Sequence, residues 1–436
     1  MTGRARGCWR ASEPPQGSRS TAAVTRPPAG TNDGLPPYIG FAGLWRLELS
    51  GMEIARLGPL LEARLARNPN DAAAMMDIAT LSILTLRPEY REFAFAMQSR
   101  ALDLQRLFRI PAAREPAGVR VLTIMSPGDM TAVTPVDCLV EGSDVELQML
   151  YARPGAPLPA DLPEHDLIFV AVGECGPNRP LLDEITQFAK SSRKPVLNLP
   201  ERILKLSRDC VSKTLRRTAG VAMPVTTGVG RKVLAQIGRA EVPLAQVLDA
   251  ASFPIIARPL GSQGGKDLAR LGGPEAVAEY LATTPSDEFF VSPFIDYSSP
   301  DSLFRKFRVV VIDGRPFACH MAISKHWMIH YVNADMDADA GKREEEARFM
   351  AGFDQEFARR HECALRGIDA ALGLDYYAID CAETTEGRLL VFEADTAMLV
   401  HAMDPVDLYP YKQPQMRKVF KAFREMLEAR RTVARK

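Results

Sequence analysis

Hydrophobic and polar residues alternate along two short segments near the carboxyl terminus, and this pattern predicts a β-hairpin. The segments cover residues 375–381 and 390–395, and Glu386-Gly387 between them has the composition of a tight turn. Successive side chains of a strand point to opposite faces, so every second residue of each segment lies on the same face. The pairing of the two segments therefore decides which polar side chains meet.

Three acidic residues of this hairpin, Asp380, Glu393 and Asp395, are predicted to share one face. If Glu386-Gly387 is a two-residue loop, Asp380 lies directly opposite Glu393, and Asp395 follows two residues later on the same face. Like charges at such positions destabilise a sheet unless a cation neutralises them or the register differs. Carboxylate oxygens suit magnesium, which completes its shell with waters and substrate phosphates. A solvent-facing acidic edge is the alternative that the hairpin alone leaves open.

Apolar residues at helical spacing predict a helical segment over residues 46–115. One apolar face runs from Ile54 to Leu65, and Asn68-Pro69-Asn70-Asp71 ends this helix and caps the next. Two further helices are predicted over 72–86 and 88–108. The segment resembles a single tetratricopeptide-type unit without a second copy. We expect it to cap the following domain, or to mediate self-association or binding of a protein partner.

Continuous apolar runs separated by a helical pattern predict a small parallel α/β domain over residues 116–203. Its strands are expected at 119–125, 166–172 and 195–199, and no Gly-x-Gly-x-x-Gly fingerprint accompanies them. The loop around Cys175 follows the carboxyl end of a strand, where ligands bind in such sheets. The sequence leaves a nucleophilic cysteine and a plain loop open, and it favours the loop.

A glycine-rich loop follows the basic strand that ends in Arg258-Pro259. This loop covers 260–267, and a second strand is predicted after it, so the loop joins two strands and does not open a helix. It is therefore not a P-loop, and Gly265-Lys266 also lacks the following Ser or Thr. Its backbone N–H groups could still cradle phosphates, and a flexible hairpin tip is the alternative.

A second hairpin, over residues 302–321, has an Asp313-Gly314 turn and carries Lys306 and Arg308 on one face. Lys325 and two histidines at helix-like spacing follow it, but that stretch has the pattern of a strand or loop, and no third zinc ligand is evident. Long helices are predicted over 342–372 and 416–431.

The composition is that of an ordinary globular chain, with 436 residues, 46% of them hydrophobic and 25% charged. Basic and acidic residues number 54 each, so the net charge suggests neither nucleic acid nor a membrane surface as a partner. The seven cysteines are scattered without a Cys-x-x-Cys pair, and we expect reduced thiols. No signal or membrane-spanning pattern is evident, which predicts a cytoplasmic location.

The first 45 residues are rich in Arg, Gly, Pro and Ser and have no periodicity, which predicts a disordered tail. A transit peptide is an alternative interpretation. An upstream extension of the gene, with Met52 as the true start, is another.

In this order, the parts from about residue 200 to 432 resemble the ATP-grasp superfamily, to which D-alanine:D-alanine ligase and glutathione synthetase belong. The resemblance rests on the basic strand, the glycine-rich loop, a strand at 288–295, the Arg308 strand and the acidic hairpin. It implies an α/β (α+β) fold of two α+β lobes, over about 204–290 and 291–432. The small α/β domain and the helical segment would precede these lobes.

The resemblance also implies roles for individual residues. Asp380, Glu393 and Asp395 match the family's metal ligands, and Arg308 matches a basic residue that steadies the transferred phosphoryl group, with Lys325 as a further catalytic candidate. The residues expected to bind the nucleotide are Arg208, Arg258, Gly261, Ser262, Gly264, Gly265, Lys266 and the hinge residues Phe290, Val291 and Ser292. Arg258 stands where the family usually has Lys, and Asp395 where it usually has Asn.

The implied function is an ATP- and magnesium-dependent ligase that activates a carboxylate as an acyl phosphate and joins it to an amine or thiol. Manganese could replace magnesium, and one or two ions would be bound. The sequence Thr396-Ala397-Met398 after the last acid lacks the family's Pro-Gly. The alternatives are a kinase on the same fold and a catalytically inactive nucleotide-binding adaptor.

Overall fold

The computed structural model describes residues 37–49, 54–85, 87–249, 251–262 and 264–431. The predicted tail therefore lies mostly outside the described residues. Its last part is described, and there the prediction of disorder is wrong, because Gly40–Leu49 forms the first helix. No helix in the described ranges is long and apolar enough to span a membrane.

The amino-terminal segment is helical, as its apolar spacing predicts. It comprises α1 (Gly40–Leu49), α2 (Ile54–Arg67), α3 (Ala72–Leu84) and α4 (Arg91–Leu104). Asp71 caps α3, since its side chain accepts a hydrogen bond from the Ala74 amide at 2.9 Å. The buried Asp77 accepts hydrogen bonds from the amides of Ile39 and Gly40, which fixes the start of α1 against α3. The tetratricopeptide-type resemblance stays a prediction.

The first sheet has the strand order β1-β3-β2-β4-β5, and all its pairs are parallel except that of β1 with β3. The strands are β1 (Leu107–Ile110), β2 (Val119–Met125), β3 (Val145–Tyr151), β4 (Leu167–Val170) and β5 (Val196–Leu197), and the helices of this unit are α5 (Val136–Leu139), α6 (Arg179–Ser191) and α7 (Pro200–Ile203). The sheet therefore begins before residue 116, because residues 107–110 pair with β3 and are not helical.

The next unit, lobe one, is built on an antiparallel sheet of order β7-β10-β8-β9. Its elements are α8 (Arg208–Leu215), β6 (Val221–Ala222), β7 (Thr227–Gly230), α9 (Arg231–Gly238), α10 (Leu244–Val247), β8 (Ile255–Pro259), β9 (Ala269–Leu271), α11 (Pro274–Thr283) and β10 (Glu288–Pro293). Its apolar residues form a core of their own. The strand β6 is an exception, since it joins the next sheet.

Lobe two contains a sheet of order β12-β11-β13-β14-β6. Its elements are β11 (Phe304–Ile312), β12 (Arg315–Ser324), α12 (Ala340–Gly352), α13 (Phe357–Arg360), α14 (Glu362–Leu372), β13 (Tyr376–Glu383), β14 (Leu389–Asp395) and α15 (Lys412–Arg431). The Asp313-Gly314 turn is confirmed, as Ile312 pairs with Arg315 and both turn residues have positive φ. Two hydrophobic cores join lobe two to the first sheet, and one of them includes residues of the helical segment.

The single helix predicted over 342–372 is wrong, because three helices, α12 to α14, occupy this stretch. The chain turns after Gly352, and this turn directs Phe349, Phe353 and Phe357 into one aromatic cluster. Two of these rings, those of Phe349 and Phe357, lie within 4.9 Å of the Phe307 ring. Burial of this cluster outweighs the regular helical spacing of the sequence. The end predicted at Gly373 is confirmed, where φ is +60°.

Candidate functional site

A cavity of about 450 Å³ lies where the two lobes, the first sheet and the helical segment meet. Its wall includes ten of the predicted site residues: Arg208, Arg258, Gly264, Gly265, Phe290, Ser292, Arg308 and the three acids of the hairpin, of which Asp380 is the most buried. Residues predicted from five separate segments of the sequence therefore share one cavity. This convergence identifies the cavity as the candidate site.

The acidic hairpin has the predicted pairing of Asp380 with Glu393, although the loop differs from the prediction. Thr384 and Arg388 close a three-residue loop, in which the Thr384 amide donates to the Arg388 carbonyl at 3.0 Å. A bulge then shifts the register, because Asp380 pairs with Glu393 while the next residue, Cys381, pairs with Val391. The longer loop and the bulge offset each other, and the predicted facing pair results.

Arg308, Asp380 and Glu393 form a row across three neighbouring strands, β11, β13 and β14. The Arg308 guanidinium binds the Asp380 carboxylate through two hydrogen bonds, of 2.7 and 3.0 Å. Lys306, which the sequence placed on the same face as Arg308, donates to Asp380 at 2.9 Å. Burial would raise the pKa of Asp380, but Arg308 and Lys306 outweigh it and hold this pKa well below its usual range. Asp380 is therefore ionised and neutralised by two cations.

The other two acids have different surroundings. Glu393 forms an ion pair with Arg208, at the start of α8, and both side chains are partly exposed to the cavity. Burial raises the pKa of Glu393, but the attraction of Arg208, Arg258 and Lys306 together outweighs this and leaves the pKa lowered. Asp395 accepts a hydrogen bond from the Ala397 amide at 3.0 Å. Burial, opposed by that bond and reinforced by Glu393, raises the pKa of Asp395 to about 7.

The glycine-rich loop lies on the lobe-one side of the cavity, next to Arg258. The Arg258 guanidinium donates to the Ser262 hydroxyl at 3.1 Å and to the Ser262 carbonyl, so the buried arginine holds the start of the loop. Burial and the nearby Arg208 lower the pKa of Arg258 to about 10. Gly264 and Gly265 line the cavity, whereas Gly261, Ser262 and Lys266 do not, and the Lys266 side chain is exposed.

Gly265 lies against a histidine of lobe two, which the sequence did not predict as a site residue. Its φ is +71°, and a Cβ atom built there would lie 2.2 Å from Nε2 of His330. His330 lines the same cavity, and burial, together with Lys306, lowers its pKa. The close approach of the two lobes at this point therefore requires a residue without a side chain.

Gly265→Ala is expected to weaken binding of an ATP analogue by about tenfold or more, because the positive φ and the clash with His330 both displace the loop. Isothermal titration calorimetry with a non-hydrolysable analogue measures this. Gly228→Ala is the matched control, since Gly228 lies in β7 of the same lobe with no atom within 4 Å of its added Cβ and no positive φ. Equal affinities of the two variants would show that the loop does not contact the nucleotide.

The predicted hinge residues lie in β10 and alternate between two sides of the lobe-one sheet. Phe290 and Ser292 line the cavity, while Val291 is buried in the lobe-one core.

Lys325 is exposed and is not among the cavity-lining residues, so the structure does not bring it to the acids. Instead the following loop, with Trp327 and His330, borders the cavity. Lys306 is the nearer amine, and its contact with Asp380 joins residues that lie 74 positions apart in the chain.

The remaining sequence candidates for chemistry are less supported. In the described ranges, no group of three or more His, Cys, Asp or Glu residues is arranged to hold a metal ion, so the magnesium site stays a prediction. Cys175 is half-buried, does not line the cavity, and has a pKa raised by burial, which agrees with a plain loop. His326 is exposed and lies outside the cavity wall.

No model of a protein family matches the chain, and no curated protein matches it. Among solved structures it is similar to a D-alanine–D-alanine ligase from Bacillus anthracis complexed with ATP, at 13% identity and a TM-score of 0.45, over 72% of this chain and 98% of that one. It is also similar to the VanG D-Ala:D-Ser ligase from Enterococcus faecalis, at 12% identity and a TM-score of 0.45, over 71% of this chain and 99% of that one. A further similar structure is that of a RimK-domain ATP-grasp protein from Sphaerobacter thermophilus. It has 16% identity and a TM-score of 0.40, over 71% of this chain and 98% of that one. At these identities and TM-scores the similarities assign neither an activity nor a ligand to this chain.

Proposed function

We propose that the chain is an ATP-dependent ligase of the ATP-grasp type, which activates a carboxylate as an acyl phosphate and transfers the acyl group to an amine or thiol. The observation that carries the proposal is the cavity between the lobes. Lobe two contributes the row of Arg308, Asp380 and Glu393 to its wall, and lobe one contributes Arg258 with Gly264 and Gly265 of the glycine-rich loop. Such a cavity suits a polyphosphate placed between two sets of positively charged groups.

The cations of the site are held in place before any ligand binds. Arg308 and Lys306 are fixed by Asp380, Arg208 by Glu393, and Arg258 by Ser262. Cations in fixed positions stabilise charge that develops on a transferred phosphoryl group without a cost of reorganisation at that moment. Arg258 and Arg208 would bind the phosphates from the lobe-one side, and Arg308 would steady the group being transferred. Phe290 and Ser292 would border the adenine.

Magnesium fits the acids by the chemistry of their oxygens, and Glu393 and Asp395 are the members of the set that remain partly exposed. Asp380 is already neutralised by two cations, so it contributes mainly by orienting Lys306 and Arg308. When bound, magnesium would neutralise the phosphates and hold them in line for transfer. Glu393 is the residue whose contribution to this binding is most accessible to mutation.

The proposed partners are small molecules, a carboxylate and an amine or thiol. The alternative of an adaptor, in which the helical segment binds a protein partner, is less favoured because that segment also lines the cavity. A kinase on the same fold would use the same nucleotide contacts. The mass of the product separates the ligase from the kinase.

The test incubates the purified full-length protein with ATP, magnesium and a mixed pool of amino acids, small peptides and polyamines. ADP release and product masses are measured, and Glu393→Ala is assayed in parallel. A product with the mass of two substrates less one water supports the ligase. A product heavier by one phosphoryl group identifies a kinase, and ADP release no greater than that of the variant contradicts both enzymes.

A further inference from the structure

The cavity has a second half that the nucleotide contacts do not explain. We call it the amino-terminal chamber, defined by the cavity-lining residues within 38–151 together with those at 397–399. The helical segment supplies one wall, and the loops at the carboxyl ends of the first sheet supply another. Its residue Ala397 donates its amide to Asp395 at 3.0 Å, so the chamber adjoins the acidic row.

The walls of the chamber are largely apolar. Ile83 of α3, Met125 at the end of β2 and Met149 of β3 line it, together with Met130 and Met398. Methionine side chains adapt their shape to a bound apolar group at little cost. Burial of the methylene groups of a ligand against such walls is favourable.

The chamber differs from the nucleotide half in its charged residues. None of the described lining residues within 38–151 is Lys, Arg or His, whereas the nucleotide half has Arg208, Arg258, Lys306 and Arg308. The ionisable acids of the chamber wall are Asp129, which pairs with Arg91 at 2.8 Å, and the buried Asp137. Burial raises the pKa of Asp137, so a further negative charge near it would be unfavourable.

The chamber is a built part of the fold. The Asp137 carboxylate accepts a hydrogen bond from the Ala42 amide at 2.8 Å, which joins α5 to α1. Gln98 of α4 exchanges two hydrogen bonds with Gly128, donating to its carbonyl at 3.3 Å and accepting from its amide at 2.7 Å. The helical segment is thus bonded to the loops that it covers, and its position over the cavity is fixed.

From these observations we infer that the amino-terminal chamber binds the body of the substrate, and that this body is apolar and carries no negative charge. The inference rests on the proposed function for the orientation of the substrate, whose reacting carboxylate would lie beside Arg308 and Lys306. It gives the helical segment a role in selecting the substrate. A dicarboxylate of the same length would place its second charge among chamber residues of which none described within 38–151 is Lys, Arg or His.

The test uses three probes that differ only in their distal group: octanoate, suberate and 8-aminooctanoate. Each is titrated calorimetrically into the full-length protein with magnesium and a non-hydrolysable ATP analogue, so that binding is measured without turnover. Octanoate is expected to bind at least about tenfold more tightly than suberate. The distal carboxylate of suberate would lose its water in the apolar chamber, and the acids of the chamber wall would repel it. 8-Aminooctanoate is expected to bind more tightly than suberate.

Thr131→Lys provides the discriminating variant, because Thr131 lines the chamber and is exposed at its edge. A cation there should reduce the preference for octanoate over suberate to about threefold or less. Thr385→Lys is the matched control, since Thr385 is an exposed threonine of the hairpin loop and does not line the cavity. The preference of Thr385→Lys for octanoate over suberate should equal that of the wild type.

Three results would overturn the inference: suberate bound as tightly as octanoate by the wild type, an unchanged preference in Thr131→Lys, or no binding of any of the three probes. Rejection of 8-aminooctanoate as strong as that of suberate would also contradict the argument from charge. A preserved preference in binding, without any ADP or ligated product in the turnover assay, would leave the chamber assignment supported and would contradict the proposed ligase. The two failures are therefore distinguishable.

Discussion

Glu393→Ala is expected to lower ATP-dependent ADP release by about a hundredfold or more. Glu393 lies at the end of the charged row and forms the ion pair that orients Arg208 toward the cavity. Its removal would therefore affect both the binding of magnesium and the position of a cation that contacts the phosphates. Steady-state assays of ADP release over a range of ATP and magnesium concentrations measure the effect.

A comparison of Glu393→Ala with Glu393→Gln separates the two contributions of Glu393, one to magnesium binding and one to the orientation of Arg208. Glu393→Gln keeps an oxygen that can accept a hydrogen bond from Arg208, but it removes the negative charge that favours magnesium binding. If Glu393→Gln releases ADP more slowly than the wild type and a higher magnesium concentration restores part of the rate, Glu393 is a metal ligand. Near wild-type turnover in Glu393→Gln, with a large loss in Glu393→Ala, would indicate that orientation of Arg208 is the main role.

The matched control is Glu386→Ala, a change of the same kind in the exposed turn of the same hairpin. It should leave ADP release within about twofold of the wild type, since surface changes of this kind have small effects. Turnover of Glu393→Ala equal to that of Glu386→Ala would exclude Glu393 from the reaction. Similar thermal midpoints of the two variants would show that the difference does not reflect unfolding.

The sequence predicted the parts of the site that depend on local pattern. The period of two in both strands placed the acids on one face, and the assumed two-residue loop gave the pairing of Asp380 with Glu393. The loop length was wrong by one residue, and the Phe392 bulge compensated for it. The facing pair was therefore predicted correctly because two deviations from the expected hairpin, the longer loop and the bulge, offset each other.

Other features depended on contacts between distant segments, and no local pattern announced them. The strand β3 was not predicted, because Glu146 and Gln148 interrupt its apolar run, yet both are buried and joined by a hydrogen bond of 2.8 Å. Lys325 was chosen over Lys306 as a catalytic candidate, although only Lys306 reaches Asp380. The helical segment was expected to cap a domain, and its role as a wall of the cavity became visible only from the tertiary structure.

The helix that follows the site, α15, begins with a buried lysine on which a polar network depends. Lys412 is 2% exposed and donates to Asp404 at 3.0 Å and to the Tyr331 hydroxyl at 2.6 Å. It lies 3.5 Å from Glu346, which is fully buried and accepts hydrogen bonds from the Met321 amide and from the hydroxyls of Tyr331 and Tyr411. This network attaches the loop after His330 to the terminal helix, and so it supports one border of the cavity.

Lys412→Met is accordingly expected to destabilise the protein by about 3–5 kcal/mol, because it leaves Glu346 and Asp404 without their buried cation. The measurement is the urea midpoint at constant pH, with Lys418→Met as control. Lys418 lies on the same helix, but its contact with Asp354 is exposed and 3.8 Å long, so its loss should cost no more than about 1 kcal/mol. Equal midpoints of the two variants would contradict a supporting role for Lys412.

The pH dependence of the Lys412→Met variant tests the cause of its instability. Burial raises the pKa of Glu346, an effect that Lys412 opposes, so loss of the lysine should raise this pKa further. A carboxyl group whose pKa is higher in the folded than in the unfolded state costs stability as the pH rises from the unfolded value through the folded one. The deficit of Lys412→Met relative to wild type should therefore be smaller at pH 5 than at pH 8. Adding Glu346→Gln should recover part of the lost stability and weaken this pH dependence, since the amide keeps acceptor oxygen but has no charge to bury. A deficit that is the same at both pH values would indicate lost packing against Tyr331 and Tyr409 as the cause.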